Sequence, residues 1–396
     1  MGTFIFSLSS KTRNCLIING ELKMKRSAIF LLTLLISFTL LSDKAFSNAK
    51  GKTNVVQLAI LLDTSNSMDG LIDQAKSQLW KIVNEMARSK RSGETINLYV
   101  ALYEYGNDNL SPQEGFVRLV SPLTNDLDKI SDELFKLRTN GGSEYCGTVI
   151  SEALKDLKWT DNTDELKIIF IAGNEPFTQG NIDYRTACKD AISKGIIINT
   201  IFCGNYDEGV QTNWKDGADL ADGKYMNIDQ NQEIVHIIAP QDDELITLGS
   251  KLNETYIAYG YFGNEYKERQ EEQDMNAGNL APEVLVERTV TKSGGQYKND
   301  SWDLVDAKKE GSVKIEELEE DQLPEEMKDM TVEERKAYVE EKAVEREKIQ
   351  KRINELSGER RKFIANKLAE GDKYTLDAAM LKMIREQASE KNYSFE

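Results

Sequence analysis

A chain of 396 residues, 40% hydrophobic and 30% charged, is long enough for one or two domains whose core needs no disulfide or metal staple. Its formal net charge of −17 excludes nonspecific attraction to nucleic acid or anionic lipid. The balance suits a cationic partner or a metal ion as intermediary, and it also keeps an exported chain in solution. The first segment reads as an address. Lys23, Lys25 and Arg26 precede an apolar run over residues 28–41, and Ala45-Phe46-Ser47 then offers small residues around a cleavage point. That order predicts a leader over residues 1–47 carrying a Sec-type signal peptide, with Met24 the better-placed start. The mature chain is then expected in the periplasm or secreted, without a stable membrane span. A retained anchor is the alternative, and no cysteine stands directly after the apolar run to carry a lipid.

Residues 55–62 are apolar apart from Gln57 and end at Asp63, as a strand buried on both faces should read. Residues 71–86 follow with Leu71, Ala75, Leu79, Ile82, Val83 and Met86 at helical spacing. Residues 96–105 read as a strand, 115–120 as a short edge strand, and 127–137 and 146–157 as amphipathic helices. The runs 166–172 and 196–203 are again strongly apolar, with a helix near 184–193 between them; a short strand at 225–228 and a helix at 242–252 follow. Such alternation predicts an α/β fold with a doubly wound, mainly parallel sheet covered on both faces. Ligands on such sheets bind outside the carboxyl ends of the strands, where Asp63, Ser143, Gly173 and Cys203 fall.

Past residue 260 apolar runs become scarce, which predicts a linker over 261–330 and a charged helical tail over 331–396. Acids and bases in the tail interleave four apart, as Glu347 and Lys351 do. Val339, Ala343, Ile349, Ile353, Leu356, Phe363 and Leu368 form a stripe that Arg346, Arg360 and Lys367 interrupt, so a coiled coil is not expected. Ser357-Gly358 is expected to split the run into two helices that lie back on the main domain, and the stretch 256–261 (YIAYGY) to pack a domain edge.

Asp63-Thr64-Ser65-Asn66-Ser67 closes a buried strand and opens a helix. A carboxylate and two hydroxyls at alternate positions can converge on one point, and hard oxygens of this kind suit Mg²⁺ or Mn²⁺. A single carboxylate leaves the cation underneutralised, so an acidic group of a protein partner can take an open position. The plainer alternative is a capped helix, with Ser67 or Asp69 satisfying free N–H groups. Gly141-Gly142-Ser143 precedes another helix and can bring the Ser143 hydroxyl toward the same point. Glu144 beside it reads as a charge at a helix N-terminus, with an extra acid for the same point as the alternative.

The run VVQLAILLDTSNSM, the later TNGGSEYCG and the strand and loop IIFIAGNEPFTQG resemble, in order and spacing, a von Willebrand factor type A domain over about residues 53–260. The resemblance implies a sheet of order 3-2-1-4-5-6 with one antiparallel edge strand, and a metal-ion-dependent adhesion site. Asp63, Ser65 and Ser67 match its first motif, and Ser143 stands where the family usually has threonine. The third motif departs. An aspartate is usual at the end of the fourth strand, but here the matching residue is Gly173, followed by Asn174 and Glu175 as substitute oxygen donors. Losing a carboxylate weakens attraction for a hard cation.

Cys15 belongs to the leader, and Cys146, Cys188 and Cys203 remain. Three thiols allow at most one bridge, Cys188–Cys203 or its competitor Cys146–Cys203. His236 is the only histidine and reads as structural, which leaves a thiol or serine enzyme without a recognisable base. No P-loop, dinucleotide fingerprint or zinc spacing occurs. The expected function is therefore an exported, noncatalytic binding or adhesion module. An assembly subunit working through its C-terminal helices is the alternative, ahead of a metal- or thiol-dependent enzyme.

Overall fold

The computed structural model describes residues 54–229, 237–368 and 376–395; the leader, Met24, the signal peptide and His236 lie outside the described residues. Strand β1 (Val55–Asp63) leads into helix α1 (Asp69–Ala87), and a small hairpin of β2 (Ser89–Arg91) and β3 (Glu94–Thr95) precedes β4 (Asn97–Tyr105). Then come β5 (Val117–Thr124), α2 (Leu127–Lys136), α3 (Cys146–Asp156), β6 (Leu166–Gly173), α4 (Tyr184–Ser193) and β7 (Ile197–Cys203). Two short helices, α5 (Tyr206–Gln211) and α6 (Trp214–Asp219), lead to β8 (Tyr225–Ile228).

The main sheet has the order β5-β4-β1-β6-β7-β8, which is 3-2-1-4-5-6 when its own strands are counted. All pairings are parallel except that of edge strand β5 with β4. Alternation along each strand sends side chains to opposite layers. Leu58, Leu62, Leu102 and Phe170 pack under Leu79, Trp80 and Ile130 of α1 and α2. Leu61, Tyr103 and Ile171 pack under Val149, Ile150, Ala187 and Trp214 of α3, α4 and α6. The doubly wound α/β reading is correct. The edge strand runs on to Thr124 rather than stopping at residue 120, past irregularities in its pairing with β4.

Helix α7 (Asp242–Asn253) lies where the sequence predicts a helix, but beyond it the chain departs from expectation: α8 (Gly263–Leu280), α9 (Pro282–Ser293) and α10 (Leu304–Glu310) occupy much of the stretch expected as a linker. Next come α11 (Val332–Leu368), α12 (Leu376–Glu390) and strand β9 (Tyr393–Phe395), which pairs antiparallel with β2. The described residues from Asn54 onward belong to one compact unit. The expected break at Ser357-Gly358 is absent, because α11 passes through both residues unbroken. Of the 256–261 stretch, Tyr256, Ile257 and Ala258 are buried as expected, while Tyr261 is exposed. Among the described residues no helix is long and apolar enough to cross a membrane.

Buried arginines fasten this region. Arg288 of α9 has no solvent exposure; it donates to Asp128 of α2 at 2.7 Å and to Asp274 of α8 at 2.5 Å, and lies over the Trp80 ring of α1. Lys292 bonds the other oxygen of Asp274 at 2.5 Å, and Tyr297 donates to Asp128. On α11, Arg346 holds Asp303 at 2.6 Å and Asp306 at 3.0 Å, while Arg360 holds Asp242 and Glu287, each at 2.6 Å.

These acids set opposite pH dependences. Burial works to raise the pKa of Asp274, but Lys292 and Arg288 outweigh it and hold the group at about 2. Its stabilisation is therefore present above the unfolded carboxylate value and is lost as pH falls toward 2. Burial and the neighbouring Asp303 instead raise Asp306 to about 6, against the pull of Arg346. Ionising Asp306 therefore costs stability, which acidification from pH 7 to 5 restores. Each group is worth on the order of 2 kcal/mol. The melting temperature should rise as pH drops from 7 to about 5 and fall below about 4; Asp306→Asn should shrink the rise, leaving the share of the other buried carboxyls whose pKa is raised, and keep the fall. A wild-type curve flat from pH 7 to 5 would contradict the assignment.

Candidate functional site

The carboxyl ends of β1, β4 and β6 form one rim. Asp63, the last residue of β1, is fully buried, and its Oδ1 accepts the Ser65 N–H at 2.7 Å. That turn brings the Ser65 and Ser67 hydroxyls within 3.2 Å of each other, Ser65 buried and Ser67 exposed. Thr64 points the other way: its N–H donates to the Tyr105 carbonyl and its hydroxyl to Glu104, which fixes the loop against β4. Helix α1 has no side-chain N-cap. The serine oxygens are thus left facing the rim instead of closing the helix, as the capped-helix alternative would require.

The loop before α3 is held against the same rim. Asn107 donates to the Arg138 carbonyl at 2.8 Å, and the Asn140 N–H donates to the Thr64 carbonyl at 3.0 Å. Gly142, with φ of 138°, leaves no room for a side chain, because a Cβ there would lie 1.8 Å from the Gly106 carbonyl oxygen. This close approach delivers Glu144, not Ser143, to the centre. Ser143 is half-buried and has no hydrogen bond to Asp63, Ser65 or Ser67 among the described residues. Glu144 is buried and sits within hydrogen-bonding reach of Asp63 and Ser65. Of the two readings of Glu144, its burial beside Asp63 favours the extra acid over the helix-end charge.

The two residues after β6 divide. Asn174 donates to the Ser67 hydroxyl at 3.1 Å, and its Oδ1 is buried without a partner, so its amide belongs to the rim. The Glu175 side chain is exposed and accepts from Gln179 at 3.1 Å, while its N–H serves Glu144 at 3.3 Å. Glu175 therefore does not supply the substitute oxygen expected of it.

Burial raises the Asp63 pKa well above the carboxylate range, and the Glu144 charge raises it further; burial also raises Glu144. Asp63 Oδ2 has no hydrogen-bond partner and no solvent. An acceptor-only oxygen, a second carboxyl beside it and two nearby hydroxyls make a donor set that fits a hard divalent cation. Asp63, Ser65, Ser67 and Glu144 are the residues that would hold Mg²⁺ or Mn²⁺. No group of three or more His, Cys, Asp or Glu side chains gathers among the described residues, so hydroxyl oxygens are needed to complete the set. Beside the rim, a cleft of about 570 Å³ is lined by Lys76 and Arg138, by Asp69 and Asp73, and by apolar Ile72 and Phe135, so its charges balance.

The Cys188–Cys203 bridge is not formed. Cys146, Cys188 and Cys203 are free and buried, and Cys188 packs with Cys146 on one side of the sheet while Cys203 packs on the other. The sheet itself thus separates Cys203 from both candidate partners. Burial raises Cys146 and Cys203 well above the usual thiol range and pushes Cys188 up to about 12.

A family model of the von Willebrand factor type A domain matches residues 57–218. No curated protein matches the chain. Among solved structures, the chain is similar to BatB from Bacteroides thetaiotaomicron, at 17% identity over 44% of this chain and 90% of that one, with a TM-score of 0.34. It is similar to the SpRpn10 VWA domain at 18% identity, over 46% of this chain and 99% of that one, with a TM-score of 0.34. An aerotolerance-related membrane protein from Bacteroides fragilis NCTC 9343 shows 17% identity over 44% of this chain and 92% of that one, with a TM-score of 0.30. With the strand order and the rim motif in place, the family match makes residues 57–218 of this chain a von Willebrand factor type A domain.

Proposed function

We propose that this chain is an exported, noncatalytic protein-binding module that captures an acidic group of a protein partner at the rim above β1, through Mg²⁺ or Mn²⁺. The observation that carries the reading is the Asp63 carboxylate oxygen, buried and without a donor, beside the paired Ser65 and Ser67 hydroxyls. A divalent cation there offers an open coordination position to an incoming carboxylate. The chain's own residues do the rest. The Ser65 N–H orients Asp63, and Asn174 positions Ser67. Export rests on the charged and apolar order of the leader.

Binding is favoured over catalysis because the three buried thiols, with raised pKa values, are poor nucleophiles. An assembly role for free C-terminal helices is disfavoured, since Arg346 and Arg360 fasten α11 to its own domain. The test is calorimetric titration of the purified mature chain with Mn²⁺ and Mg²⁺. One site per chain is expected, absent in Asp63→Ala while that variant still unfolds cooperatively. Absence of a site in the wild type at millimolar cation would end this reading.

A further inference from the structure

We infer that Glu144 is the second carboxylate of the cation site, brought in from the loop before α3 because the end of β6 has no room for one. This rests on the cation reading above and names a ligand that neither the matching motif nor the spacing supplies.

Position 173 is closed by its neighbours. A Cβ on Gly173 would lie 2.5 Å from the Tyr105 hydroxyl and 3.0 Å from Asp63 Oδ2. Tyr105 cannot swing away cheaply, since its ring is fully buried and its hydroxyl donates to the Ala172 carbonyl at 3.0 Å. The carboxylate must enter from elsewhere, and the opening is at Gly106. A Cβ on Gly106 would lie 2.7 Å from Glu144 Cγ and 2.8 Å from Asp63 Oδ1, so one missing side chain lets Glu144 reach Asp63. Glu144 is anchored for the purpose at both ends. Its N–H donates to Gln179 at 3.2 Å, and its Oε2 accepts the Glu175 N–H at 3.3 Å. Its other oxygen is left for Ser65 and the space beside Asp63 Oδ2, the buried atom without a donor. Two like carboxyls are brought together beside an oxygen that accepts no hydrogen bond. A divalent cation would satisfy that arrangement, with Asp63 and Glu144 supplying the charge and Ser65 and Ser67 the hydroxyl oxygens.

The experiment is Mn²⁺ titration of the full mature chain, followed by calorimetry, with Glu144→Gln beside Asp63→Asn and Ser143→Ala. Glutamine keeps an acceptor for the Glu175 N–H and removes only the charge. Mn²⁺ affinity is expected to fall about tenfold or more in Glu144→Gln, and by less than about twofold in Ser143→Ala. Wild-type affinity in Glu144→Gln, with binding lost in Asp63→Asn, would overturn the role of Glu144 and leave the cation reading standing. No Mn²⁺ binding by the wild type would overturn both. Should Glu144→Gln fail to fold, Glu144→Asp keeps the charge and shortens its reach: weakened binding supports the assignment and unchanged binding refutes it.

Discussion

Replacing Arg288 with methionine should destabilise the fold by about 3–5 kcal/mol, although the residue lies outside the matched domain and far from the rim in sequence. Its guanidinium has no exposure and bonds Asp128, Asp274 and the Gln270 carbonyl, while its face lies over Trp80. Methionine fills much of the volume but leaves two carboxylates in the interior, only one of which keeps a cation, Lys292. The loss is therefore the penalty of an uncompensated buried charge and exceeds what the ion pairs contribute net. A quadruple variant, Arg288→Met with Asp128→Leu, Asp274→Leu and Lys292→Met, should recover most of the loss, because Lys292 would otherwise be left buried without Asp274 and apolar replacement of a whole buried ionic group is often neutral. Urea unfolding of the three proteins decides it. If Arg288→Met alone costs less than about 1 kcal/mol, the network is not the fastening described.

The same network explains why the first two hundred or so residues beyond the leader were legible and the rest were not. β1, β4, β6 and β7 are buried on both faces and read as mainly apolar runs, so their positions follow from hydropathy, while their order came from the family resemblance. Helix α8 buries Gln270, Gln273 and Ala277, and α9 buries Arg288 and Lys292; a search for apolar periodicity is blind to an interface made of polar groups. Arg346 and Arg360 are the sharpest case. In the sequence they interrupt the apolar stripe of α11 and argue for a solvated tail, yet both are buried and each clamps two acids. Strand β9 was invisible for another reason, since its pairing with β2 joins residues about three hundred positions apart. At the rim, Asp63, Ser65 and Ser67 are local in sequence and were found together. Glu144 was ranked first as a helix-end charge because its place beside Asp63 depends on the space left by Gly106 and taken by Tyr105, which no spacing rule contains.

Asp63→Asn should move binding and stability in opposite directions. The cation-free wild type confines two carboxyls, Asp63 and Glu144, in a site with almost no solvent, and burial and mutual repulsion both raise the Asp63 pKa. An asparagine there keeps an acceptor for the Ser65 N–H through Oδ1 and turns the orphaned oxygen into an amide donor aimed at Glu144. Without cation, the variant should therefore be more stable than the wild type at pH 7 by about 1 kcal/mol, the scale usual when a strained functional group is replaced. With saturating Mn²⁺ the order should reverse, because only the wild type gains binding free energy; at a hundredfold excess over Kd that gain is about 2.7 kcal/mol. Thermal unfolding of both proteins, each with EDTA and with Mn²⁺, gives four melting temperatures. A side chain kept only to close a strand predicts that Asp63→Asn is destabilising in both buffers and that Mn²⁺ shifts neither protein. A residue kept for a ligand predicts the crossing.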